Sequence, residues 1–461
     1  MREGVEGLPA EPVAVVGMGV SGRATARHLL SHGIRPVAFD ARPPAPDDAD
    51  LQALAAAGVE LRVGEEAMGA LGAFATAFVT PGMRKDHPAL AAAVRAGCRL
   101  TGEIPYVLSR ARRPTLGITG SAGKTTTTAL TADILRRAGM AVFAGGNLGV
   151  PAIAALDLSP EPDWLVLELS SFQLDLCRVS PRLAALLNLA PNHLDVHPSM
   201  EDYRRAKLNI LRHQGEGDVA VINADQPVAG AEEAGRPDRR LRFGLDPSGV
   251  DEGATVVGGR VVVRAGGREE AVLPVDAIPL PGRHNVANVL AAAALATAAG
   301  APAAAVAEAV RSFRGVPHRL ELVHEAGGVR YVDDSIATAP DRTIAALEAV
   351  EGPVVLLAGG SDKGLDYSVL GPHLRARVRV LLTMGPTGPA IARASAEAGG
   401  PPAIPCPDLE AAVREAVARA RPGDTVLLAP ASASFDQFPG YAARGDAFRR
   451  WVQAYAGEGG A

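Results

Sequence analysis

The stretch Gly117-Ile118-Thr119-Gly120-Ser121-Ala122-Gly123-Lys124-Thr125-Thr126 decides how this chain is read. It follows the apolar run Thr115–Thr119 and opens a helical pattern over 126–138, the setting that a phosphate-binding loop requires. Backbone N–H groups of a glycine turn, backed by a helix N-terminus, suit phosphate oxygens. Lys124 is then the cation for the β- and γ-phosphates, and the Thr125 hydroxyl a ligand for Mg²⁺. The glycines stand at 117, 120 and 123, a departure from the usual GxxxxGK[ST] spacing.

Strand-like apolar runs alternate with Ala/Leu-rich helical stretches on both sides of this loop, which reads as α/β with mainly parallel sheets. Upstream, strands are expected at 13–17, 36–40, 59–63 and 75–79, with helices over 23–32 and 50–57. The stretch 110–114 (RARRP) reads as a linker. Downstream, strands at 163–169 and 183–189 continue the central unit. The Val- and Gly-rich segment 255–275 reads as β-hairpins at its edge, and helices over 285–299 and 303–313 close it. A third α/β unit follows Gly315, with strands near 329–333, 354–358, 378–384 and 425–428. The expected domains are 1–110, 111–315 and 316–461.

Composition agrees with a multidomain soluble enzyme. The 461 residues are 48% hydrophobic and 21% charged, with a net charge of −5. That balance argues against a dedicated nucleic-acid binder or a basic membrane-surface protein. Cys98, Cys177 and Cys406 are too widely spaced for a disulfide framework or a CxxC metal site. No apolar run is long enough to span a membrane, and the first twelve residues do not read as a signal peptide, so a cytoplasmic location is expected. Lys and Arg total 46, yet only Lys85, Lys124, Lys207 and Lys363 are lysines. A lysine kept against such a bias is a candidate for chemistry that arginine cannot do, with a solvated surface as the plain alternative.

Two further features bear on chemistry. Glu168 ends the strand-like run 164–168, and His193 in Asn192-His193-Leu194-Asp195 follows another strand, so both can reach the sheet edge where ligands bind. Mg²⁺ prefers oxygen, so a histidine ligand needs anionic oxygens beside it. In the N-terminal unit, Gly17-Met18-Gly19-Val20-Ser21-Gly22 matches GxGxxG, with Asp40 ending the next strand and Arg42 just beyond. Alone this pattern points to an NAD(P)-dependent oxidoreductase, although a UDP diphosphate satisfies the same geometry.

The chain resembles the Mur ligases, through GITGSAGKTT (117–126), GGNLG (145–149), LELSSFQL (167–174), NHLDVH (192–197), YRRAKLNI (203–210), PGRHNVANVLAA (281–292), PHRLE (317–321), DDSIAT (333–338), GGSDKG (359–364) and SASFDQFPGY (432–441). LELSSFQL and SASFDQF point to the branch that adds D-glutamate. The resemblance implies a Rossmann-like UDP-binding N-terminal domain, a central P-loop ATPase domain with a small β edge, and a Rossmann-like C-terminal domain for the amino acid. It implies an acyl-phosphate route to an amide in peptidoglycan precursor synthesis, using ATP, two Mg²⁺ and small-molecule substrates, in a monomer. A sister Mur ligase, a folylpolyglutamate synthetase-like enzyme and a non-catalytic nucleotide-gated scaffold are the other readings.

By the same resemblance, Lys124, Glu168, His193 and Lys207 are catalytic. Gly120, Gly123, Lys124, Thr125, Thr126, Asn288, Arg319 and Asp334 meet ATP, with His284 and Asn285 nearby. Thr125, Glu168, His193 and a carbamylated Lys207 hold metal. Val20, Ser21, Asp40, Arg42, Gly82, Asn147 and His193 meet the UDP-sugar substrate. Thr338, Lys363, Ser434 and Tyr441 hold D-glutamate. Ile336 stands where many relatives carry lysine, which leaves more of the side-chain carboxylate to Lys363.

Overall fold

Short apolar runs such as VAVV (Val13–Val16) and VVLLAG (Val354–Gly359) set the central strands, as sheets covered on both faces require. The computed structural model describes residues 8–41, 43, 48–84, 86–147, 149–190, 197, 199–280, 282–362 and 365–457. They form two compact units, Met1–Phe313 and Arg314–Ala461.

The first unit holds two sheets. One contains β1 (Val13–Val16), β2 (Val37–Asp40), β3 (Glu60–Val63), β4 (Thr76–Val79) and β5 (Arg99–Thr101), all parallel, in the order β3-β2-β1-β4-β5. All four residues of β1 are buried. The order reverses at β1, so a crevice opens beyond the carboxyl ends of β1 and β4.

The second sheet contains β6 (Thr115–Thr119), β7 (Val142–Gly146), β8 (Trp164–Glu168), β9 (Leu183–Leu186), β10 (Val219–Asn223), β11 (Arg239–Gly244), β12 (Gly253–Val257), β13 (Arg260–Ala265) and β14 (Arg268–Pro274). Its order is β14-β13-β12-β11-β10-β9-β6-β8-β7. The expected hairpins are present as the antiparallel edge β12-β13-β14. β6 lies between β8 and β9, with Ile118 opposite Glu168 and Thr119 opposite Leu186. That register brings the phosphate loop and Glu168 out at one sheet edge. Helix Arg283–Ala298 buries ten of its 16 residues, half of them alanines, and lies against helix Lys124–Arg137. Small side chains let the elements approach closely, and each fully buried leucine such as Leu290 contributes roughly 1.5–3 kcal/mol.

Helices Val20–Ser31 and Glu103–Arg110 of the first sheet pack on the short helical segment Ala152–Asp157 of the second. One apolar cluster accordingly joins Val13, Leu29, Ile104 and Val107 to Ile153, Leu165 and Leu167.

The second unit is built on β15 (Glu321–Ala326), β16 (Val329–Asp333), β17 (Val354–Gly359), β18 (Val378–Met384), β19 (Ala403–Pro405) and β20 (Thr425–Leu428), in the order β15-β16-β20-β17-β18-β19. β15 is antiparallel to β16, and the other pairs are parallel.

Several boundaries differ from expectation. Helix Val20–Ser31 starts three residues before position 23, and helix Lys124–Arg137 starts two residues before 126. Both N-caps are glycines without a side-chain cap, so no Ser, Thr or Asp marks the start. Arg110, read as linker, is the last residue of helix Glu103–Arg110, which buries Ile104, Tyr106, Val107 and Leu108. No helix among the described residues is long and apolar enough to cross a membrane.

Candidate active site

β6 delivers the chain into a tight loop that three devices hold. Gly123 sits at φ +83°, and a Cβ there would lie 2.2 Å from Asn288 Oδ1. Glycine therefore supplies both the left-handed turn and the room for Asn288. Asn188 clamps the loop, accepting from the Ala122 N–H at 2.9 Å and donating to the Ala122 carbonyl at 3.1 Å. Ser121 Oγ donates to the Ala190 carbonyl at 2.9 Å. Lys124 Nζ folds back to donate to the carbonyls of Gly120 at 2.9 Å and Ser121 at 3.1 Å.

Glu168, at the end of β8, is 1% exposed. Its Oε1 accepts from Asn147 Nδ2 at 2.6 Å. Its Oε2 and the Thr125 hydroxyl are buried, with no hydrogen-bond partner among the described residues. Leaving such an oxygen unsatisfied costs about 1–3 kcal/mol, so a site with two of them fits an external oxygen-seeking cation. Lys207 comes from helix Met200–Arg212 and is 2% exposed. Its Nζ donates to the Gly120 carbonyl at 2.9 Å and to Thr119 Oγ1 at 3.3 Å, over the Tyr203 ring. Burial, reinforced by the Lys124 ammonium, holds this amine well below the ordinary lysine range, against the opposing pull of Glu168. The neutral form is the reactive one.

A cleft of about 910 Å³ opens beside the loop, lined by Gly123, Asn188, Asn223, Asp225, His284 and Asn288 among others. Asn223 Nδ2 donates to the Leu187 carbonyl at 2.7 Å, and its Oδ1 accepts the N–H groups of Asp225 and Gln226. Asp225 in turn accepts the Leu245 N–H at 2.7 Å. Asn288 donates to Asn285 Oδ1 at 3.2 Å. Thr126 is half-buried in the first turn of helix Lys124–Arg137.

At the β1 turn the three glycines have separate reasons. A Cβ on Gly17 would meet Thr80 Oγ1 at 2.1 Å, and one on Gly22 would meet the Gly17 carbonyl at 1.9 Å. Gly19 faces open space within 4 Å, which leaves its backbone approachable. Asp40 accepts the Met18 N–H at 2.8 Å and so braces the turn. Val20 is exposed, and Gly82 lies in an exposed loop. The Ser21 hydroxyl donates to Glu103, whose other oxygen accepts the Ile153 N–H at 3.1 Å. Burial pushes the Glu103 carboxyl up.

In the second unit, Asp334 follows β16 and accepts the Leu320 N–H at 3.0 Å. Burial pushes its carboxyl up to about 6. Arg319, next to Leu320 in sequence, is exposed. His318 Nδ1 is 2.8 Å from Asp333 Oδ2, and that hydrogen bond raises the imidazole. Thr338 is half-buried, Ser434 buried, and the Tyr441 ring stands edge-on to His318 with centroids 6.2 Å apart. Arg444, 2% exposed, donates to Ser335 Oγ and to the carbonyls of Ser335, Ser432 and Ala433. It thereby ties the Asp334–Thr338 segment to the segment carrying Ser434. Arg42, His193 and Lys363 lie outside the described residues, as does Lys85.

Three family models match the chain: the Mur ligase MurD-like N-terminal domain over 11–102, the Mur ligase middle domain over 118–296, and the Mur ligase glutamate ligase domain over 318–432. A UDP-N-acetylmuramoylalanine–D-glutamate ligase of Symbiobacterium thermophilum is 45% identical over 96% of this chain and 98% of its own. The chain belongs to the Mur ligase family. A ligase of the same name from Pelotomaculum thermopropionicum is 40% identical over 95% of this chain and 97% of its own. The fold is shared with a murein peptide ligase of Psychrobacter arcticus, at TM-score 0.52 and 18% identity, covering 95% of this chain and 98% of that one. It is shared also with a UDP-N-acetylmuramate–alanine ligase of Thermotoga maritima, at TM-score 0.51 and 20% identity, covering 97% and 99%.

In this Mur ligase the structure adds residues that local motifs did not single out. Asn188, Asn223 and Asp225 shape the cleft, Glu103 holds Ser21, and Arg444 braces the second unit. Each is an ordinary polar residue in sequence. The lone available signal was position, since Asn188 follows the β9 run and Asn223 ends β10.

Proposed function

We propose that this Mur ligase joins D-glutamate to UDP-N-acetylmuramoyl-L-alanine at the expense of ATP, as a cytoplasmic monomer making a peptidoglycan precursor. The near end-to-end identity with D-glutamate ligases carries this reading. A carboxylate is a poor electrophile. Transfer of the ATP γ-phosphoryl to one of its oxygens gives an acyl phosphate and ADP. The D-glutamate amine then attacks the carbonyl carbon, and a tetrahedral intermediate expels phosphate to leave the amide. Expulsion of phosphate, a stable anion, makes the second step favourable.

Lys124 leaves the loop carbonyls to meet the phosphoryl oxygens, and the uncapped first turn of its helix offers N–H groups. The purine and ribose take the cleft beside Asn288. Thr125 and Glu168 would hold Mg²⁺, with His193 and a carbamylated Lys207 at a second ion. Their two unpartnered buried oxygens support that fit. When bound, Mg²⁺ neutralises charge on the phosphoryl oxygens. Carbamylation joins the Lys207 nitrogen to CO₂ with loss of a proton, and needs the neutral amine that burial favours. Asn147 orients the muramoyl-alanyl carboxylate, while Val20, Ser21, Asp40, Arg42 and Gly82 serve the UDP. Arg319 and Asp334 serve the nucleotide, and Thr338, Lys363, Ser434 and Tyr441 hold D-glutamate. The domain limits 1–110, 111–315 and 316–461 accompany this assignment.

The deciding experiment is phosphate release from ATP with UDP-N-acetylmuramoyl-L-alanine and Mg²⁺, adding D-Glu, L-Glu, L-Lys, meso-diaminopimelate or L-Ala in turn. Release with D-Glu alone supports the assignment. Release with another amino acid keeps the chemistry and overturns the substrate, and no release with any overturns both.

A further inference from the structure

Away from these loops, three side chains of the first unit converge at the junction of its two sheets. His28 and His32 stand one turn apart at the end of helix Val20–Ser31, and Asp157 ends the segment Ala152–Asp157. His28 Nδ1 lies 2.9 Å and His32 Nδ1 4.0 Å from the same Asp157 oxygen. One ligand atom from each residue falls within 4.8 Å of the other two. Tetrahedral zinc, with bonds of about 2.0–2.2 Å, separates its ligand atoms by about 3.3 Å. The observed 2.9 and 4.0 Å must change by about 0.4 and about 0.7 Å to reach that spacing.

The surroundings favour a ligand set over a plain ion pair. His28 is 4% exposed, and its burial lowers the imidazole toward the neutral, metal-binding form, against Asp157 and with His32 and Arg110. His32 Nδ1 also lies 2.9 Å from the His28 carbonyl, a hydrogen bond that it gives up, with its proton, on ligating a metal. A cavity of about 300 Å³ adjoins both histidines and is lined also by Tyr106, Arg110, Arg113 and Glu161. It leaves room for a fourth ligand, and the arginines favour water ionised to hydroxide or a small anion there.

The geometry points to a binding site for a zinc-class divalent cation, held by His28, His32 and Asp157, with the fourth position open to the cavity. Such an ion pins the helix of the first sheet to the underside of the second. It binds the folded chain and not the unfolded one, so it raises the unfolding temperature.

The test uses the full chain without a polyhistidine tag, stripped of metal and titrated with zinc alone against a chromophoric chelator. Wild type is compared with His32→Ala and Asp157→Asn, both at positions about 40% exposed, where the substitutions leave the core intact. Wild type should bind one more zinc per chain than either variant, or bind it at least ~10-fold more tightly. Zinc should raise the wild-type unfolding temperature and leave both variants unmoved. Mg²⁺-supported phosphate release without zinc should be the same in all three. Zinc taken up near Glu168 is common to the three proteins and cancels in the comparison. Equal stoichiometry and affinity in all three, or no zinc held by wild type, overturns the site.

Discussion

At the scale of single residues, the phosphate loop turns on Gly123 and two lysines. Gly123→Ala must place a Cβ at φ +83° and 2.2 Å from Asn288 Oδ1. The left-handed conformation alone costs an L-residue about 1–2 kcal/mol, and Asn288 must also move. ATP affinity should therefore fall ~10-fold or more, which calorimetry reads directly. Unchanged affinity would separate this loop from the nucleotide. Lys124→Ala should keep the fold and lose at least ~3 kcal/mol of transition-state stabilisation, seen in kcat. Lys207→Ala should keep substrate binding while turnover drops by ~10²-fold. Short-chain carboxylic acids should restore part of it by replacing the anionic oxygens of a carbamate. Full turnover without additive would remove Lys207 from the site.

At the scale of elements, Asp334 shows what a strand end can cost. Its carboxyl rises from 3.8 to about 6 because it is buried behind β16. Between those values the folded unit binds more protons than the unfolded chain, so stability falls as pH rises through the window and stays low above it. At about 1.4 kcal/mol per unit the penalty is about 3 kcal/mol at most. Asp334→Asn keeps an acceptor for the Leu320 N–H, so it should raise the urea midpoint of the second unit above about pH 6 and flatten its pH dependence, while turnover falls. A wild-type slope in that variant would refute the assignment. The strands themselves were readable because runs such as VAVV and LVLE leave few alternatives. Helix starts at Val20 and Lys124 were not, since a glycine cap carries no side-chain signal. The loop from Gly117 to Thr126 is local and was readable at once. The cleft beside it is assembled from segments near 188, 223–226, 243–249 and 283–288, and no local spacing reveals such an assembly.

At the scale of the molecule, the apolar clusters respect the boundary at Phe313. Three lie within the first unit, and two, around Leu356 and Leu428, within the second. Each unit thus owns the burial that offsets its chain entropy. A fragment ending at Phe313 should unfold cooperatively by circular dichroism and bind ADP, because the phosphate loop, Asn288 and the cleft all belong to it. It should release no phosphate with D-glutamate, since Thr338, Ser434 and Tyr441 are absent. Any loss of ADP affinity against the full chain then measures what residues 314–461 add, with ~10-fold equal to ~1.4 kcal/mol. A fragment from Arg314 should fold as well. If either half melts without cooperativity, the separate cores are not sufficient, and the two units must be stabilised by one another.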